Sequence, residues 1–507
     1  MAEEKGEQGG KPGGRGAASN LGVTPRANSY TDWYQDLVLK AELADYSPVR
    51  GCMVVRPYGW ALWEKLRETF DRYFQESGHV NAQFPLFIPM SFLAREASHV
   101  EGFAKECAVV THYRLKATAE GLQPDPESRL EEPLIVRPTS ETIIGAMYAK
   151  WVQSWRDLPI LINQWANVVR WEMRTRLFLR TTEFFWQEGH TAHETEKEAV
   201  EETLRMIEVY RRVAEEHMAM PVLVGVKSAS ERFAGAVDTW AIEALMQDGK
   251  ALQSGTSHFL GQNFAKAFDI KFTGRDGVQQ HVWTTSWGAS TRLVGGLVMT
   301  HGDDKGLVLP PRVAPIQVVL VPIWRQDDEK SAVMAFVDGI ARRLKDAGVR
   351  LKVDDREQHK PGFKFNDWEL RGVPLRMEVG PRDVAAAKVV LARRDGGEKR
   401  IVEAAGLETL VPGLLEEIQR ALFDKAKARL DANLRRAGSY EQLVATLRES
   451  GGFVLAPWDG DAAVEAKVKE ETKATIRCIR AEDRGARAKA IGTGVETDQW
   501  AVFAQAY

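Results

Sequence analysis

The stretch Asn167–His193, NVVRWEMRTRLFLRTTEFFWQEGHTAH, decides the fold of this chain. It predicts two strands, Asn167–Met173 and Phe178–Glu188, joined by a charged loop. Alternate residues of a strand share a face, so we expect Arg170 and Glu172 on one side of the first strand. Arginine stays charged when dehydrated and binds planar oxyanions through two parallel hydrogen bonds. Guanidinium groups beside carboxylates on a rigid strand pair suit a phosphate-rich substrate.

The loop and the second strand continue this charged pattern. Their charged and aromatic residues include Arg174, Arg176, Arg180, Glu183, Trp186 and Glu188. The whole pattern resembles motif 2 of class II aminoacyl-tRNA synthetases, in which an arginine holds the α-phosphate of ATP and the loop reaches the acceptor end of tRNA. An exposed hairpin with surface ion pairs is the alternative, because Arg-x-Glu triplets are common. The long matching context favours the functional interpretation.

Length and composition limit the classes of protein that fit. A chain of 507 residues predicts about three domains of roughly 100–200 residues each. The 68 Lys and Arg residues nearly balance the 71 Asp and Glu residues, giving a net charge of −3. Nucleic-acid binding must therefore come from local basic patches.

Cysteine usage and hydropathy predict a cytoplasmic protein. Cys52, Cys107 and Cys478 lie far apart and form no Cys-x-x-Cys pair, which favours a reducing compartment. No run of about 18 apolar residues is present, so we expect no membrane span. The Gly-, Lys- and Glu-rich start has no apolar stretch, and we expect residues 1–29 to form a disordered tail rather than a signal peptide.

The region 30–313 is expected to form the first folded domain. Helices are predicted at Trp33–Ala44 and Gly59–Glu76, followed by a strand at Phe84–Pro89. This unit resembles class II motif 1, with Pro85 as its proline, which implies a homodimer interface. An ordinary helix–strand unit with an edge-strand proline is the alternative. Later elements are predicted as the helix Thr195–Met220, the strands Pro221–Val226, Ala267–Phe272 and Val282–Ser286, and the buried helix Leu293–Met299.

Two further domains are expected at 314–411 and 412–507. Strands and helices alternate from Ile316 onward, which predicts an α/β layer with parallel pairing. This region resembles the anticodon-binding domain of class IIa synthetases. The last region opens with a long helical pattern, and short strands at Gly452–Ala456, Thr475–Ile479 and Gln499–Ala504 predict a small α/β domain.

Three more constellations carry candidate binding residues. In RPTSET, Arg137–Thr142, the one-residue spacing places Thr139 and Glu141 on one side of an extended loop, where a carboxylate can accept from an amino-acid ammonium. A capping box formed by Ser140 and Glu141 ahead of the helix Thr142–Ala149 is the alternative.

The second constellation, ALQSGTSH at Ala251–His258, is predicted to be a loop that brings Gln253, Thr256 and His258 to a small ligand. A polar turn before a strand is the competing interpretation.

The third constellation is TTSWGASTRLVGG at Thr284–Gly296, where Gly288, Ser290 and Arg292 are expected to open an apolar helix. A helix N-terminus favours phosphate, and an arginine there adds a charge-assisted contact. The stretch resembles class II motif 3, whose arginine holds the γ-phosphate of ATP. A surface arginine at a helix start is the alternative.

Together these motifs resemble the prolyl-tRNA synthetases of the archaeal/eukaryote-like type, from about Tyr30 to Tyr507. The resemblance implies an α/β and α+β multidomain fold with an antiparallel-sheet catalytic domain, an α/β anticodon-binding domain and a small α/β C-terminal domain. It implies proline activation with ATP and Mg²⁺, then transfer to tRNA(Pro), with Arg170 and Arg292 as the catalytic arginines. The proline-binding residues that it implies are Thr139, Glu141, Arg170, Trp186, Glu188 and His258. The ATP-binding residues are Arg170, Glu172, Arg180, Thr181, Gln253, Thr256, Ser290 and Arg292.

A basic strip in the second domain fits contact with tRNA. Its residues are Arg371, Arg376, Arg382, Arg393, Arg394 and Lys399, near Glu369. Arginine and lysine donate to guanine O6 and N7, and glutamate accepts from the Watson–Crick edge. The resemblance assigns anticodon contact to Glu369, Arg376, Arg382 and Lys399, with a solvated charged face as the alternative.

The chain departs from the family at the position of a structural zinc. Many members hold zinc with four cysteines in the C-terminal domain, whereas only Cys478 lies there, so we expect no structural zinc. A metal cluster of Glu188, His190, His193 and Glu194 is a weak alternative, because His-x-x-His on a strand lacks the helical spacing of zinc hydrolases. We therefore predict no metal-ligating residues.

Between Arg180 and Arg292 there is no room for the editing domain of bacterial-type relatives, which predicts some misactivation of alanine. The alternatives to a proline enzyme are a class IIa synthetase of another amino-acid specificity and a non-catalytic tRNA-binding paralogue.

Overall fold

The computed structural model describes residues 22–95, 106–485 and 487–507. Most of the predicted N-terminal tail lies outside these residues. Its last part, residues 22–29, was predicted to be disordered, and that prediction is wrong. Thr24 donates to Asp36 at 2.7 Å and Arg26 donates to Asp304 at 2.9 Å. These contacts fasten the segment to the folded body.

The first folded region contains seven helices and sixteen strands among its described residues. The helices are α1 Tyr30–Lys40, α2 Pro57–Glu76, α3 Met90–Arg95, α4 Glu141–Trp151, α5 Glu196–Arg212, α6 Asn263–Ala267 and α7 Arg292–His301. The strands are β1 Ala44–Tyr46, β2 Met53–Val55, β3 Val80–Asn81, β4 Phe87–Pro89, β5 Val109–His112, β6 Leu115–Thr118, β7 Gly121–Pro124, β8 Arg129–Val136, β9 Ile160–Val169, β10 Glu183–His193, β11 Val222–Val226, β12 Asp238–Leu245, β13 Ala251–Gly261, β14 Lys271–Thr273, β15 Gln279–His281 and β16 Trp283–Ser290.

A seven-stranded sheet organises this region in the order β11-β12-β13-β16-β10-β9-β3. Its strands pair antiparallel, except that β3 runs parallel to β9. The helices α2, α5 and α7 cover one face and bury a large apolar core there. The residues that form the floor of the site described below lie on β10, β13 and β16 in the middle of the sheet, where paired neighbours on both sides fix their positions.

The second region is an α/β layer. Its elements are β17 Val318–Pro322, α8 Asp327–Asp346, β18 Leu351–Val353, α9 Pro361–Leu370, β19 Leu375–Val379, α10 Pro381–Ala386, β20 Lys388–Arg393, β21 Arg400–Glu403 and the long helix α11 Leu407–Ala432. The predicted parallel pairing holds for β18-β17-β19, whereas β20 and β21 pair antiparallel at the edge. Helix α11 crosses the predicted domain boundary at 411/412.

The third region contains a small four-stranded sheet with two helices on one face and a separate pair of short strands. Its elements are β22 Leu434–Arg436, α12 Tyr440–Glu449, β23 Phe453–Pro457, α13 Ala462–Thr472, β24 Thr475–Cys478, β25 Ala488–Lys489, β26 Glu496–Thr497 and β27 Trp500–Ala504. Cys478 packs in an apolar cluster that also contains residues of β11 and β12. Among the described helices, none is both apolar enough and long enough to cross a bilayer.

Several predicted element bounds are wrong where the backbone turns. The predicted strand Ala267–Phe272 is the end of α6 followed by β14, because Asp269 adopts a positive φ of 55°. The long helix predicted at Thr195–Met220 is α-helical only to Arg212 and ends in a π turn at Val213–His217.

The two strands predicted around motif 2 are also misplaced. The first strand ends at Val169, and the second begins at Glu183. The intervening chain folds back on itself, with Phe178 at a φ of 61° and the amide of Arg176 donating to the carbonyl of Arg180. Arg170, Glu172 and Arg180 therefore lie in a structured loop rather than on strands.

Candidate active site

Three neighbouring strands form the floor of a cavity of about 240 Å³. Glu188 on β10 lies opposite Gly288 on β16, which lies opposite Thr256 on β13. His190, Ser286 and His258 form the next row in the same way. All six residues line the cavity.

Close packing behind the cavity explains why residue 189 is a glycine. Alternate residues of a strand face opposite ways, so Gly189 points away from the cavity that Glu188 and His190 line. A Cβ at Gly189 would lie 2.0 Å from the indole of Trp287. A side chain at Gly189 would therefore push β10 away from β16 and disturb the register that aligns the site.

Glu188 is the best-connected side chain of the cavity floor. Its carboxylate accepts hydrogen bonds from Ser140 and, at 2.9 Å, from Gln164, and it lies 3.0 Å from Nε2 of His190. Burial alone would raise the pKa of Glu188, but the contacts with His190, Ser140 and Gln164 outweigh it and lower the pKa. Burial likewise opposes protonation of His190, yet its hydrogen bond to Glu188 and the charge of Glu141 raise its pKa.

The loop between β8 and α4 brings Thr139 and Glu141 to the cavity. The hydroxyl of Thr139 donates to the carboxylate of Glu141, and both residues line the cavity. The capping-box alternative fails, because Ser140 makes no side-chain cap bond to the helix and donates to Glu188 instead. The helix α4 itself begins at Glu141.

His258 forms the side of the cavity opposite Glu188. Its Nδ1 lies 3.0 Å from the hydroxyl of Thr239, and its Nε2 lies 3.0 Å from the hydroxyl of Thr256. The ring of Phe233 lies against it at 4.5 Å between centroids. Burial lowers the pKa of His258 to about 3, with a smaller contribution from His190, so the imidazole is neutral at physiological pH. His258, Thr256 and Gln253 lie on strand β13, so the loop predicted for this stretch is wrong, as is the alternative of a turn before a strand.

Arg170 joins the cavity to a second space beside it. Its Nε donates to the carbonyl of Pro138 at 2.9 Å, and its guanidinium lies 5.4 Å from the ring of Phe184 and 5.2 Å from that of Trp186. Burial lowers the pKa of Arg170 to about 10, while the charges of Glu141 and Glu188 partly restore it. The group remains fully charged near neutral pH.

The second space, of about 220 Å³, is lined by the three arginines predicted to hold a triphosphate. Arg170, Arg180 and Arg292 all line it, together with Glu172 and Thr181. Arg292 begins helix α7 and donates from Nε to the carbonyl of Leu179 at 3.0 Å. Arg180 pairs with Glu172. The predicted helix start at Gly288–Ser290 is wrong, since these residues end strand β16.

All predicted proline- and ATP-binding residues line one of these two adjoining spaces. The residues Arg170, Phe184, Ser290 and Arg292 line both. Sequence reasoning missed Phe184, Glu231, Phe233 and Thr239, which also line the larger cavity. Phe233 and Thr239 lie in or beside the connection from β11 to β12, and only strand pairing brings them to His258.

Tyr507 lines the same space as the arginines. Its amide donates to the carbonyl of Ala251 at 3.1 Å, and its hydroxyl donates to Asp248 at 2.6 Å. Arg176 of the motif 2 loop lies 5.6 Å from the Tyr507 ring. The last residue of the chain is thus fixed beside the predicted ATP site.

The metal cluster considered from the sequence does not form. Glu188 and His190 face the cavity. His193 lies on the other face of β10, where its ring lies 2.7 Å from the hydroxyl of Thr191, and Glu194 lies beside Arg275. A different group, Glu141, Glu188 and His190, brings one ligand atom each within 4.8 Å of one another. The hydrogen bonds described above already engage these side chains.

The predicted anticodon residues belong to the second region. Arg376 on β19 and Lys399 both pair with Glu378, at 3.0 and 2.8 Å, and both lie over the ring of Phe365. Arg382 is exposed on α10, and Glu369 pairs with Lys305 at 3.3 Å. The other arginines of the basic strip make structural ion pairs: Arg371 with Glu42, Arg393 with Asp395 and Arg394 with Asp303.

Three family models match the chain in succession. A tRNA synthetase class II core domain (G, H, P, S and T) matches residues 122–301, an anticodon binding domain matches 317–417, and a prolyl-tRNA synthetase C-terminal domain matches 440–507. These matches confirm the predicted fold class.

Curated relatives match nearly the whole chain under the name "Proline--tRNA ligase". The relative from Bacteroides fragilis is 60% identical over 459 residues, covering 90% of this chain and 92% of its own. That from Porphyromonas gingivalis is 58% identical over 487 residues, covering 96% and 99%. That from Flavobacterium johnsoniae is 55% identical over 488 residues, with the same coverage of 96% and 99%.

Proposed function

Because the chain belongs to the proline–tRNA ligase family, we propose that its two adjoining spaces bind proline and ATP through the residues assigned below. The family's reaction, which this chain carries out, joins proline to tRNA(Pro) with consumption of ATP. The observation that carries the residue assignment is the meeting of Arg170, Arg180 and Arg292 around one space that opens onto a carboxylate-lined cavity. The C-terminal family match and the identity to proline enzymes disfavour another class IIa specificity and a non-catalytic paralogue.

Proline binds in the larger cavity, between Thr139, Glu141, Arg170, Trp186, Glu188 and His258. The carboxylates of Glu141 and Glu188 attract the cationic imino group. Arg170 takes the carboxylate of proline, and neutral His258 with the rings of Phe233 and Trp186 encloses the apolar ring. The separation of the carboxylates from Arg170 fixes the orientation of proline in the cavity.

ATP binds in the smaller space and the adjoining part of the larger cavity, the part that Gln253 and Thr256 line. Its binding residues are Arg170, Glu172, Arg180, Thr181, Gln253, Thr256, Ser290 and Arg292. Arg170 lines both spaces, so one guanidinium contacts the proline carboxylate and the α-phosphate at once. Arg292 and Arg180 lie where the β- and γ-phosphates of ATP, which leave as pyrophosphate, would bind. Their burial or pairing orients them before substrate arrives, so little reorganisation is needed during reaction.

The reaction needs no protein nucleophile. The proline carboxylate attacks the α-phosphate in line, a P–O bond to the β-phosphate breaks, and pyrophosphate leaves from prolyl-adenylate. The terminal ribose hydroxyl of tRNA then attacks the prolyl carbonyl, and AMP leaves. The chain contributes alignment and charge neutralisation through Arg170 and Arg292.

Mg²⁺ accompanies ATP in this assignment. It prefers oxygen ligands and keeps several water molecules, so phosphate oxygens and water would hold it without a dedicated protein site. When bound, the ion neutralises part of the phosphate charge.

The second region reads the anticodon through Glu369, Arg376, Arg382 and Lys399. Arg376 and Lys399 lie over Phe365 and both pair with Glu378, so two cations and a carboxylate are grouped where the edge of a base would bind. We assign the catalytic, anticodon-binding and C-terminal domains to residues 30–313, 314–411 and 412–507, with helix α11 continuing across the last boundary.

A homodimer formed through the motif 1 region and a cytoplasmic location complete the proposal. Exposed apolar side chains near that motif support the dimer: Val80 is 62% exposed, Phe87 44% and Met90 45%. The strand β3 that carries Val80 lies at the sheet edge. The wide spacing of the three cysteines, with no Cys-x-x-Cys pair, supports a reducing compartment.

The Arg170→Ala variant tests the assignment. We expect it to abolish proline-dependent ATP–pyrophosphate exchange, because it removes the group shared by both substrates. Arg174→Ala, an exposed change in the same loop, serves as the control and should retain exchange. Exchange near the wild-type rate in Arg170→Ala would refute the role of this arginine.

A further inference from the structure

A separate cavity of about 270 Å³ lies where three parts of the chain meet, and it shares no lining residue with the active-site spaces. Arg26 reaches it from the segment before α1, and Thr300 to Asp303 form the end of α7 and the following turn. Arg394 comes from the anticodon-binding domain, and Lys425 and Arg429 come from α11. We call it the Arg429 cavity.

Cations outnumber carboxylates around the Arg429 cavity. Four cationic side chains line it, namely Arg26, Arg394, Lys425 and Arg429, against the carboxylates of Asp303 and Asp395. Both carboxylates are already paired. Asp303 accepts two hydrogen bonds from Arg394, at 2.8 and 2.6 Å, and Asp395 accepts two from Arg393, at 2.9 and 2.7 Å.

Two of the cations have no counter-ion among the described residues. Arg26 pairs with Asp304 at 3.0 Å, whereas no described carboxylate lies within 4.0 Å of Arg429 or Lys425. The Nη2 of Arg429 donates to the carbonyl of Thr300 at 2.9 Å, and its buried Nε has no described hydrogen-bond partner. His301 adds no charge, since burial lowers its pKa to about 4.

The position of Arg429 is electrostatically unfavourable without an anion. Burial lowers the pKa of its guanidinium, the nearby Tyr30 opposes this effect, and Arg26 lowers the pKa further. Buried charges are ordinarily paired, because desolvation of a lone charge costs several kcal/mol. The partly buried charge of Arg429, unpaired among the described residues, is the feature that requires an explanation, and the exposed Lys425 adds a second such cation to the same cavity.

We propose that the Arg429 cavity binds a small free oxyanion of the phosphate class. The Arg429 guanidinium and the Lys425 ammonium supply the main charge-assisted hydrogen bonds, and Arg26 lies at the wall. Because Arg394 belongs to the anticodon-binding domain and Thr300 to the catalytic domain, the anion binds only when α7, α11 and the end of β20 are packed together. Binding therefore stabilises the junction of these domains.

Inorganic phosphate is the probe for the test. Its binding is measured by calorimetry and by the thermal midpoint of the full chain, against sodium chloride of equal ionic strength. Saturating proline and a non-hydrolysable ATP analogue fill the active site throughout. We expect saturable binding of phosphate to the wild type and a rise in its thermal midpoint.

Variants on α11 locate the site. Arg429→Met should weaken phosphate binding at least tenfold, and Lys425→Met, at an exposed position that does not endanger folding, should weaken it severalfold. Lys427→Met is the matched control, because Lys427 is exposed on the same helix and pairs with Asp431. Proline-dependent pyrophosphate exchange reports that each variant is folded.

Three outcomes would overturn the proposal. One is the absence of saturable phosphate binding above the chloride control. Another is equal affinity in the wild type, Arg429→Met and Lys425→Met. The third is weaker tRNA binding in these variants with phosphate binding unchanged, which would assign the cavity to a tRNA phosphate rather than a free oxyanion.

Discussion

Glu188 illustrates how individual residues determine the chemistry of this site. Its buried carboxylate is held by Ser140, Gln164 and His190, and its charge favours the protonated form of Arg170 nearby. It is therefore a counter-ion for the cations of the cavity, and in the proposed assignment it also attracts the imino cation of proline.

Glu188→Gln should weaken the binding of proline more than the binding of ATP. The change keeps the shape but removes the charge, and charge-assisted hydrogen bonds are worth about 1.5–3 kcal/mol. We expect the KM for proline to rise by about tenfold or more, with the KM for ATP changed by less than about threefold. Steady-state exchange kinetics measure both.

Glu183→Gln is the matched control on the same strand. Glu183 accepts a hydrogen bond from Asn167 at 2.7 Å and does not line the cavity. The KM of the Glu183→Gln variant for proline should therefore be unchanged. Equal rises in both KM values for Glu188→Gln would contradict the assigned role.

Residues that line the two spaces were predictable where a short motif contains them. Thr139 and Glu141, or Arg170 and Glu172, lie two residues apart, so local spacing already places them together. Phe233 was not predictable, because it reaches His258 only through the connection between β11 and β12 and the packing of that connection over β13.

At the scale of elements, strand register aligns the site. The pairing of β10, β16 and β13 places the predicted residues of three distant motifs in two cross-strand rows. The sequence predicted strands near β10 and β16 with misplaced ends, whereas the stretch that forms β13 was predicted to be a loop. The ends were misplaced because tight backbone turns, such as those at Phe178 and Asp269, are set by tertiary contacts rather than by hydrophobic pattern.

Arg376 on β19 provides a prediction at this scale. Arg376→Ala should lower the kcat/KM of aminoacylation by about tenfold or more, since a specific arginine–base contact contributes about 1–3 kcal/mol. Proline-dependent exchange should stay nearly intact, because it needs no anticodon.

Arg400→Ala, an exposed change on β21 of the same sheet, should affect neither activity. A parallel loss of exchange and aminoacylation in Arg376→Ala would indicate a folding defect and remove the support for anticodon contact.

At the scale of the whole molecule, a buried charge cluster joins the third region to the catalytic sheet. Glu243 on β12 accepts from Lys227 at 2.6 Å and from Arg477 on β24 at 2.9 Å. All three side chains are buried. Composition suggested the number of domains, but this junction joins residues more than 200 positions apart and has no local sequence signal.

Glu243→Gln should destabilise the protein more than Arg477→Met. The first change leaves two buried cations unpaired, at a cost of about 3–5 kcal/mol, whereas the second leaves the Lys227–Glu243 pair intact. Thermal unfolding followed by circular dichroism compares the two midpoints. An equal or larger fall in Arg477→Met would show that the cluster does not behave as a charge-compensated unit.

Buried and partly buried histidines should make the fold acid-sensitive. Burial lowers the pKa of His193, His217 and His301 to about 4, and that of His258 to about 3. The unfolded chain takes up these protons near pH 6.5, so stability is present above that pH and is lost as the pH falls towards 4, by about 1.4 kcal/mol per pH unit for each proton. His190, whose pKa is raised, acts in the opposite sense.

Thermal midpoints at about pH 7 and about pH 5 measure this effect. The wild-type midpoint should fall with acidification, and His301→Asn should show a smaller fall because one of the buried neutral imidazoles is gone. A midpoint that rises on acidification would contradict the account.

The most direct test of the central claim is ATP–pyrophosphate exchange by the wild-type chain with one amino acid at a time. Proline, glycine, histidine, serine, threonine and alanine are compared at equal concentration. We predict the highest kcat/KM with proline, weak exchange with alanine, and none above background with the others. Exchange that prefers another amino acid, or that occurs with none, would contradict the assignment of the Glu141–Glu188–His258 cavity to proline.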